Sequence, residues 1–281
     1  MRSWRVIDTG ARHPAMNMAI DEALLQGYLH HDSPPTLRLY RWRPCGISIG
    51  YAQDPAAALD AGACRRAGVP VVRRVTGGGA IMHDRELTYS LVCSKEDLRI
   101  PARIVSSYRI IASFLTSFYR SLGLAASFAC EAAFPRGGER LGEPSCLCFA
   151  AKEKYDITIG GRKIGGSAQK RSGGAIFQHG SIPLAIDRKG LRNLMADPAM
   201  AGSLAGAVSL EELLGALPDA RELAARLVES FQRTFGVSME AGRLNDTEQV
   251  ICDDLRCRKY GHEDWNLHRN ADVCNDQTVM A

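Results

Sequence analysis

The run Arg73-Arg74-Val75-Thr76-Gly77-Gly78-Gly79-Ala80-Ile81-Met82-His83-Asp84 constrains this 281-residue chain more than any other stretch. Three consecutive glycines stand between a β-type run, Val69 to Val75, and a second apolar pair. Glycine lets backbone N–H groups approach a ligand and take dihedrals that a Cβ forbids. The run therefore predicts a loop shaped around a bound molecule. It is not one of the standard phosphate loops, since no Lys-Ser/Thr follows the glycines and no G-x-G-x-x-G opens a helix. Alone, the run also fits a flexible hairpin turn.

Around it, periodicity predicts alternating elements. Met16, Ala19, Ile20, Ala23, Leu24 and Tyr28 share one face of a helix over 16–29. Leu37 to Trp42 and Ile47 to Ile49 alternate like strands about the turn Arg43-Pro44-Cys45-Gly46. Asp54-Pro55 reads as an N-cap with proline at the first helical position, which predicts a helix over 55–67 closed by Gly68. Strands are expected at 69–75, 86–93, 154–159, 162–166 and 174–182, and helices at 102–122, 187–195, 219–235 and 245–259. Residues 134–147 read as an exposed loop. Without a strict βαβ rhythm, the pattern predicts an α+β class with a mixed β-sheet flanked by helices. Residues 1–245 are expected to form one domain, with a C-terminal helix and a short, frayed tail over 246–281.

No run of about 18 apolar residues exists to span a membrane, and nothing near Met1 resembles an export signal. With nine irregularly spaced cysteines, this predicts reduced thiols in a cytoplasm. A net charge of +4 suits acidic protein partners but is too small and scattered to argue for nucleic acid.

A second glycine-rich stretch, Gly160-Gly161-Arg162-Lys163-Ile164-Gly165-Gly166-Ser167-Ala168, is followed by Phe177-Gln178-His179-Gly180-Ser181-Ile182-Pro183-Leu184. With Met16 to Leu24 and Tyr260 to Asn266, these segments resemble the lipoate/biotin protein ligase superfamily over roughly residues 1 to 269. Four ordered motifs are far more specific than any one of them. The resemblance implies the biotin/lipoate ligase catalytic fold, with the glycine loop and the Lys163 turn bordering a tunnel. It implies substrate contacts at Arg74, Gly77, Gly78, Gly79, His83, Ser167, Ala168, His179 and Gly180.

Cys148 is the candidate nucleophile. It lies seven residues before Tyr155 and fifteen before Lys163, a placement that resembles the octanoyltransferase branch of the superfamily. The ATP-dependent ligases lack that cysteine. A thiolate is the reactive form, and a nearby ammonium such as that of Lys163 favours it. The same ammonium can stabilise a tetrahedral oxyanion. Cys146 is a rival, and Ala150 to Lys154 depart from the branch's Asp-x-Pro-Ser pattern. Free cysteine is also often just a small buried apolar residue, and Lys163 also fits a solvated hairpin lysine. His83 and His179 read as pocket-lining polar contacts, with a Cys-His base pairing as the alternative. Cys146, Cys148, Cys252 and Cys257 make a poor zinc set, because the last two fall on different faces of an expected helix.

The resemblance thus implies an enzyme needing no cofactor. It would take octanoyl from an acyl carrier protein thioester, hold it on Cys148, and pass it to a lysine of a lipoyl-carrier domain. The acceptor would be a glycine cleavage H protein or a dehydrogenase E2 subunit. The competing readings are an ATP-dependent lipoate ligase, an amidotransferase between carrier proteins, and a non-catalytic lipoyl- or biotin-sensing module.

Overall fold

The structure is a computed structural model describing residues 3–100, 104–131, 154–199 and 205–270. The chain begins with β1 (Trp4–Arg12), α1 (Pro14–His30), β2 (Thr36–Trp42), β3 (Gly46–Ile49) and α2 (Ala61–Arg66). Next come β4 (Val71–Arg73), β5 (Ile81–His83), β6 (Glu86–Ser94), α3 (Ile104–Ser121), β7 (Ala126–Phe128) and β8 (Ile157–Ile159). Then follow β9 (Arg162–Lys163), β10 (Gly166–Ser172), β11 (Ala175–Pro183), α4 (Arg188–Arg192) and α5 (Leu210–Leu214). The last are α6 (Ala220–Phe235), β12 (Met239–Ala241), α7 (Asp246–Leu255) and α8 (Glu263–His268).

Six strands form the main sheet in the order β10-β11-β6-β2-β1-β12. β1 pairs in parallel with β2 and β12, while the other three pairings are antiparallel. The expected mixed sheet flanked by helices is therefore what the chain forms.

Period-two alternation sorts the side chains of the central strands onto two faces. Leu37 and Leu39 of β2, with Leu87, Tyr89, Leu91 and Cys93 of β6, enter a core built with Phe114, Phe118 and Phe231 of α3 and α6. Their neighbours Arg38, Tyr40, Thr88 and Ser90 face the other way; Arg38, Tyr40 and Ser90 meet Asp21 of α1, and Thr88 accepts from Trp42 Nε1. A three-stranded sheet, β4-β3-β5, carries the arms of the glycine run. A second, β7-β8-β9, carries Lys163.

Two expectations need correction. The helix at 55–67 is confined to α2, capped by Asp60 rather than Asp54. Asp54 caps only a turn, through Ala56 N–H, and Leu59 is drawn into a β-bridge with Met195 that a helix would forbid. The strand expected at 162–166 stops at Lys163, and β10 begins at Gly166. The polar sequence of β10, an edge strand, carries no alternation that would have announced it. The loop read at 134–147 lies outside the described residues, as does the tail from 271.

Candidate active site

The polar face of the main sheet converges on two carboxylates. Asp21 of α1 is buried and takes a 2.6 Å ion pair from Arg38 of β2. It also accepts hydrogen bonds from Ser90 Oγ at 2.6 Å and Tyr40 OH at 2.9 Å. Burial pushes the Asp21 carboxyl up, but the Arg38 charge and the His179 and Ser90 contacts outweigh it, leaving the group below the usual carboxylate range. His179 of β11 meets Asp21 through Nδ1 at 3.4 Å and the Thr76 hydroxyl through Nε2 at 2.7 Å. Burial pushes this imidazole down, favouring its neutral form.

Glu86, at the start of β6, is the second carboxylate. Its Oε1 lies 2.8 Å from His83 Nδ1 and accepts from the Thr88 hydroxyl, while Oε2 accepts from Ser181 Oγ at 2.5 Å. Burial raises this carboxyl, and the attraction of His83 with the three hydrogen bonds brings it below its ordinary value. The His83 ring stacks on Trp42 at 3.8 Å between centroids, 5° from parallel. Its Nε2 lies 2.7 Å from Ser48 Oγ.

Between these groups lies a slot of about 330 Å³. Met18, Tyr40, Trp42 and Ile81 give it apolar walls, and Ser167, Ala168, His179 and Gly180 line another side. A second cavity of about 270 Å³ shares Gly166, Ser167 and Ser181 with the slot and extends to Tyr155 and Asp156. Asp156 takes a 2.7 Å ion pair from Lys163, with both side chains almost wholly buried. The two cavities share a wall at Gly166, Ser167 and Ser181, and the second reaches Asp156 of a buried ammonium–carboxylate pair. Such an arrangement can hold an aliphatic chain at one end and a developing charge at the other.

Residues 13–232 match the lipoyl protein ligase A/B catalytic domain. An octanoyltransferase LipM of Kyrpidia tusciae is 38% identical over 277 residues, covering 96% of this chain and 100% of the relative. That of Bacillus subtilis is 36% identical over 275 residues, covering 95% and 99%. The chain belongs to the lipoyl protein ligase A/B family, in its octanoyltransferase LipM branch. Solved structures agree on the fold. Lipoate-protein ligase A bound with ATP superposes with a TM-score of 0.77 at 24% identity, covering 95% of this chain and 99% of that one. The bipartite lipoate protein ligase of Thermoplasma acidophilum gives 0.77 at 23%, covering 99% and 100%.

Within this lipoyl ligase-type fold the residues singled out from sequence divide into four groups. Ser167, Ala168, His179, Gly180, Arg74 and His83 line the slot. A Cβ on Gly180 would stand 2.6 Å from Ser167 Oγ, so this position requires glycine. The Arg74 guanidinium holds the loop itself, donating to the carbonyls of Ser48, Gly77 and Gly79. Gly77, Gly78 and Gly79 do not line the slot; they curl around Arg74, with Gly78 at φ +98° and its carbonyl close against Gly50. Lys163 is 2% exposed, so it is no solvated hairpin lysine. Cys148 and its rival Cys146 lie outside the described residues.

Sequence reasoning missed Ser48, Glu86, Thr88 and Trp42, and gave no role to Asp21 or Asp156. Asp21 and Asp156 stood inside quoted motifs, so their ionisable character within apolar patterns was an available signal. Ser48 carried none. Of the cysteines weighed for zinc, Cys252 is buried and Cys257 exposed. Among the described residues no three metal-ligating side chains come together, and no helix is long and apolar enough to cross a membrane.

Proposed function

We propose that this chain transfers octanoyl from an acyl carrier protein thioester, through a thioester on Cys148, to a lysine of a lipoyl-carrier domain. As a member of the LipM branch it is an acyltransferase acting in lipoate biosynthesis. The observation that carries the finer reading is an apolar slot sharing Gly166, Ser167 and Ser181 with a second cavity that reaches Asp156, the ion-pair partner of Lys163. The chain's tail would lie against Met18, Tyr40, Trp42 and Ile81. Each buried methylene contributes about 0.8 kcal/mol of binding. Its carbonyl would lie near Ser167 and Ser181, toward the cavity that reaches Tyr155 and Asp156. The segment bearing Cys148 leads directly into those two residues.

In this mechanism the Cys148 thiolate attacks the donor carbonyl and the carrier thiol leaves. The acceptor lysine, as its free amine, then attacks the acyl-cysteine and the thiolate is expelled. Lys163 favours both the thiolate and the oxyanion, and Asp156 holds Lys163 in position. A covalent intermediate lets two protein partners use one site in turn. Thioester to thioester to amide runs downhill, so no ATP is needed.

The test is transfer between purified proteins. Octanoyl-carrier thioester should modify a lipoyl domain without ATP, whereas free octanoate with ATP and Mg²⁺ should give little product. ATP-dependent modification with pyrophosphate release would instead identify a ligase.

A further inference from the structure

The hydrogen bonds around Ser48 have a direction. Its Oγ has two partners, Arg74 Nη1 at 3.1 Å and His83 Nε2 at 2.7 Å. A guanidinium can only donate, so the serine oxygen accepts from Arg74, and its own hydrogen remains available to His83 Nε2. In the tautomer whose proton sits on Nδ1, that proton faces Glu86 Oε1 at 2.8 Å and Nε2 can take the Ser48 hydrogen. Glu86 is fixed in turn by the Thr88 and Ser181 hydroxyls. The His83 ring is clamped by Trp42. A hydroxyl, a histidine bonded to it and a carboxylate orienting the histidine are the three parts of an activated serine nucleophile. Arg74 places a cation 3.1 Å from the attacking oxygen. Ser48, His83 and Arg74 all line the slot, so a small acyl group that enters it meets this hydroxyl.

We infer that Ser48, His83 and Glu86 form a second nucleophilic site, at the wall of the slot, giving the protein a slow esterase activity toward short acyl esters that does not use Cys148. Ser48 Oγ adds to the ester carbonyl as its proton passes to His83 Nε2. Collapse of the adduct breaks the ester C–O bond, and His83 returns the proton to the leaving alkoxide. Water then repeats the sequence on the acyl-serine and releases the acid. The inference uses none of the residues assigned to octanoyl transfer beyond the slot itself, and either can fail alone.

Two measurements test it on the full chain. In a Cys148→Ala background, p-nitrophenyl butyrate should be hydrolysed above the buffer rate, and adding Ser48→Ala should lower that rate more than tenfold. Adding Arg85→Ala, which removes the exposed pair with Glu211, should leave it unchanged. Independently of any variant, diethyl p-nitrophenyl phosphate should add one diethylphosphoryl group to the peptide carrying Ser48. Hydrolysis that survives Ser48→Ala, no hydrolysis in the Cys148→Ala background, or an unlabelled Ser48 peptide in folded protein would each overturn the inference.

Discussion

Lys163 and Asp156 show how one residue's neighbour changes what its removal means. Taken from sequence, Lys163 is a cation beside a cysteine; in the fold it is one half of a buried ion pair. Removing one partner of such a pair leaves an uncompensated charge and costs about 3–5 kcal/mol, whereas replacing both by neutral groups of similar volume is often close to neutral. Lys163→Ala should therefore lower both stability and activity, which by itself separates nothing. The double variant Lys163→Met, Asp156→Asn should regain most of the lost stability in urea unfolding while octanoyl transfer stays more than tenfold down. Recovery of transfer together with stability would make the pair structural. The same residues mark how far the sequence could be read. Lys163, Ser167 and His179 stood out because glycines and motif spacing surround them. Ser48 and Glu86 acquire a role only when β3, β5 and β6 bring them to one imidazole, an adjacency that no linear spacing encodes.

At the scale of elements, α1 and β11 are tied through Asp21 and His179, and the tie carries a pH dependence. The folded Asp21 carboxyl lies below its unfolded value, so its contribution is present above about pH 4 and is lost as pH falls through the folded value. Burial pushes the His179 imidazole below its ordinary value. Its unfolded form takes a proton near pH 6.5 and the folded form only at lower pH, so stability falls as pH drops below about 6.5. His13, also lowered by burial, adds to the same slope. His179→Asn should lower the Tm at pH 8 yet flatten its decline between pH 7 and 5; an unchanged slope would show that the ring titrates freely. The strands were readable wherever one face is apolar, as in β2, β6 and β11. They were not where an edge strand is polar throughout, as in β10, or where a distant bridge overrode a local cap, as at Leu59.

At the scale of the molecule, the C-terminal elements secure the glycine run. Arg73 sends its guanidinium to the carbonyls of Gly50, Tyr51, Gln53, Trp265 and Leu267. Its backbone N–H donates to Asn266 Oδ1 at 3.0 Å, and Trp265 Nε1 donates to its carbonyl at 3.0 Å. α8 is thereby bonded to the strand that enters the glycine loop, and α7 packs along α1. Asn266→Ala breaks the Arg73 bond and a second one to Tyr260 O, and strands a buried donor at a cost of about 1–3 kcal/mol. Thermal unfolding should show that loss. Transfer should weaken below the new transition as well, because the loop's anchor is loosened; full activity in the destabilised variant would separate α8 from the site.

Transfer by the proposed route requires a covalent octanoyl group at one cysteine. Intact mass spectrometry of the protein mixed with octanoyl-carrier thioester, before any lipoyl domain is added, reads that directly. One octanoyl group, removed by hydroxylamine and mapped to Cys148, is the predicted result, absent in Cys148→Ala and retained in Cys146→Ala. Acylation of the Cys148→Ala protein at the wild-type rate would contradict it.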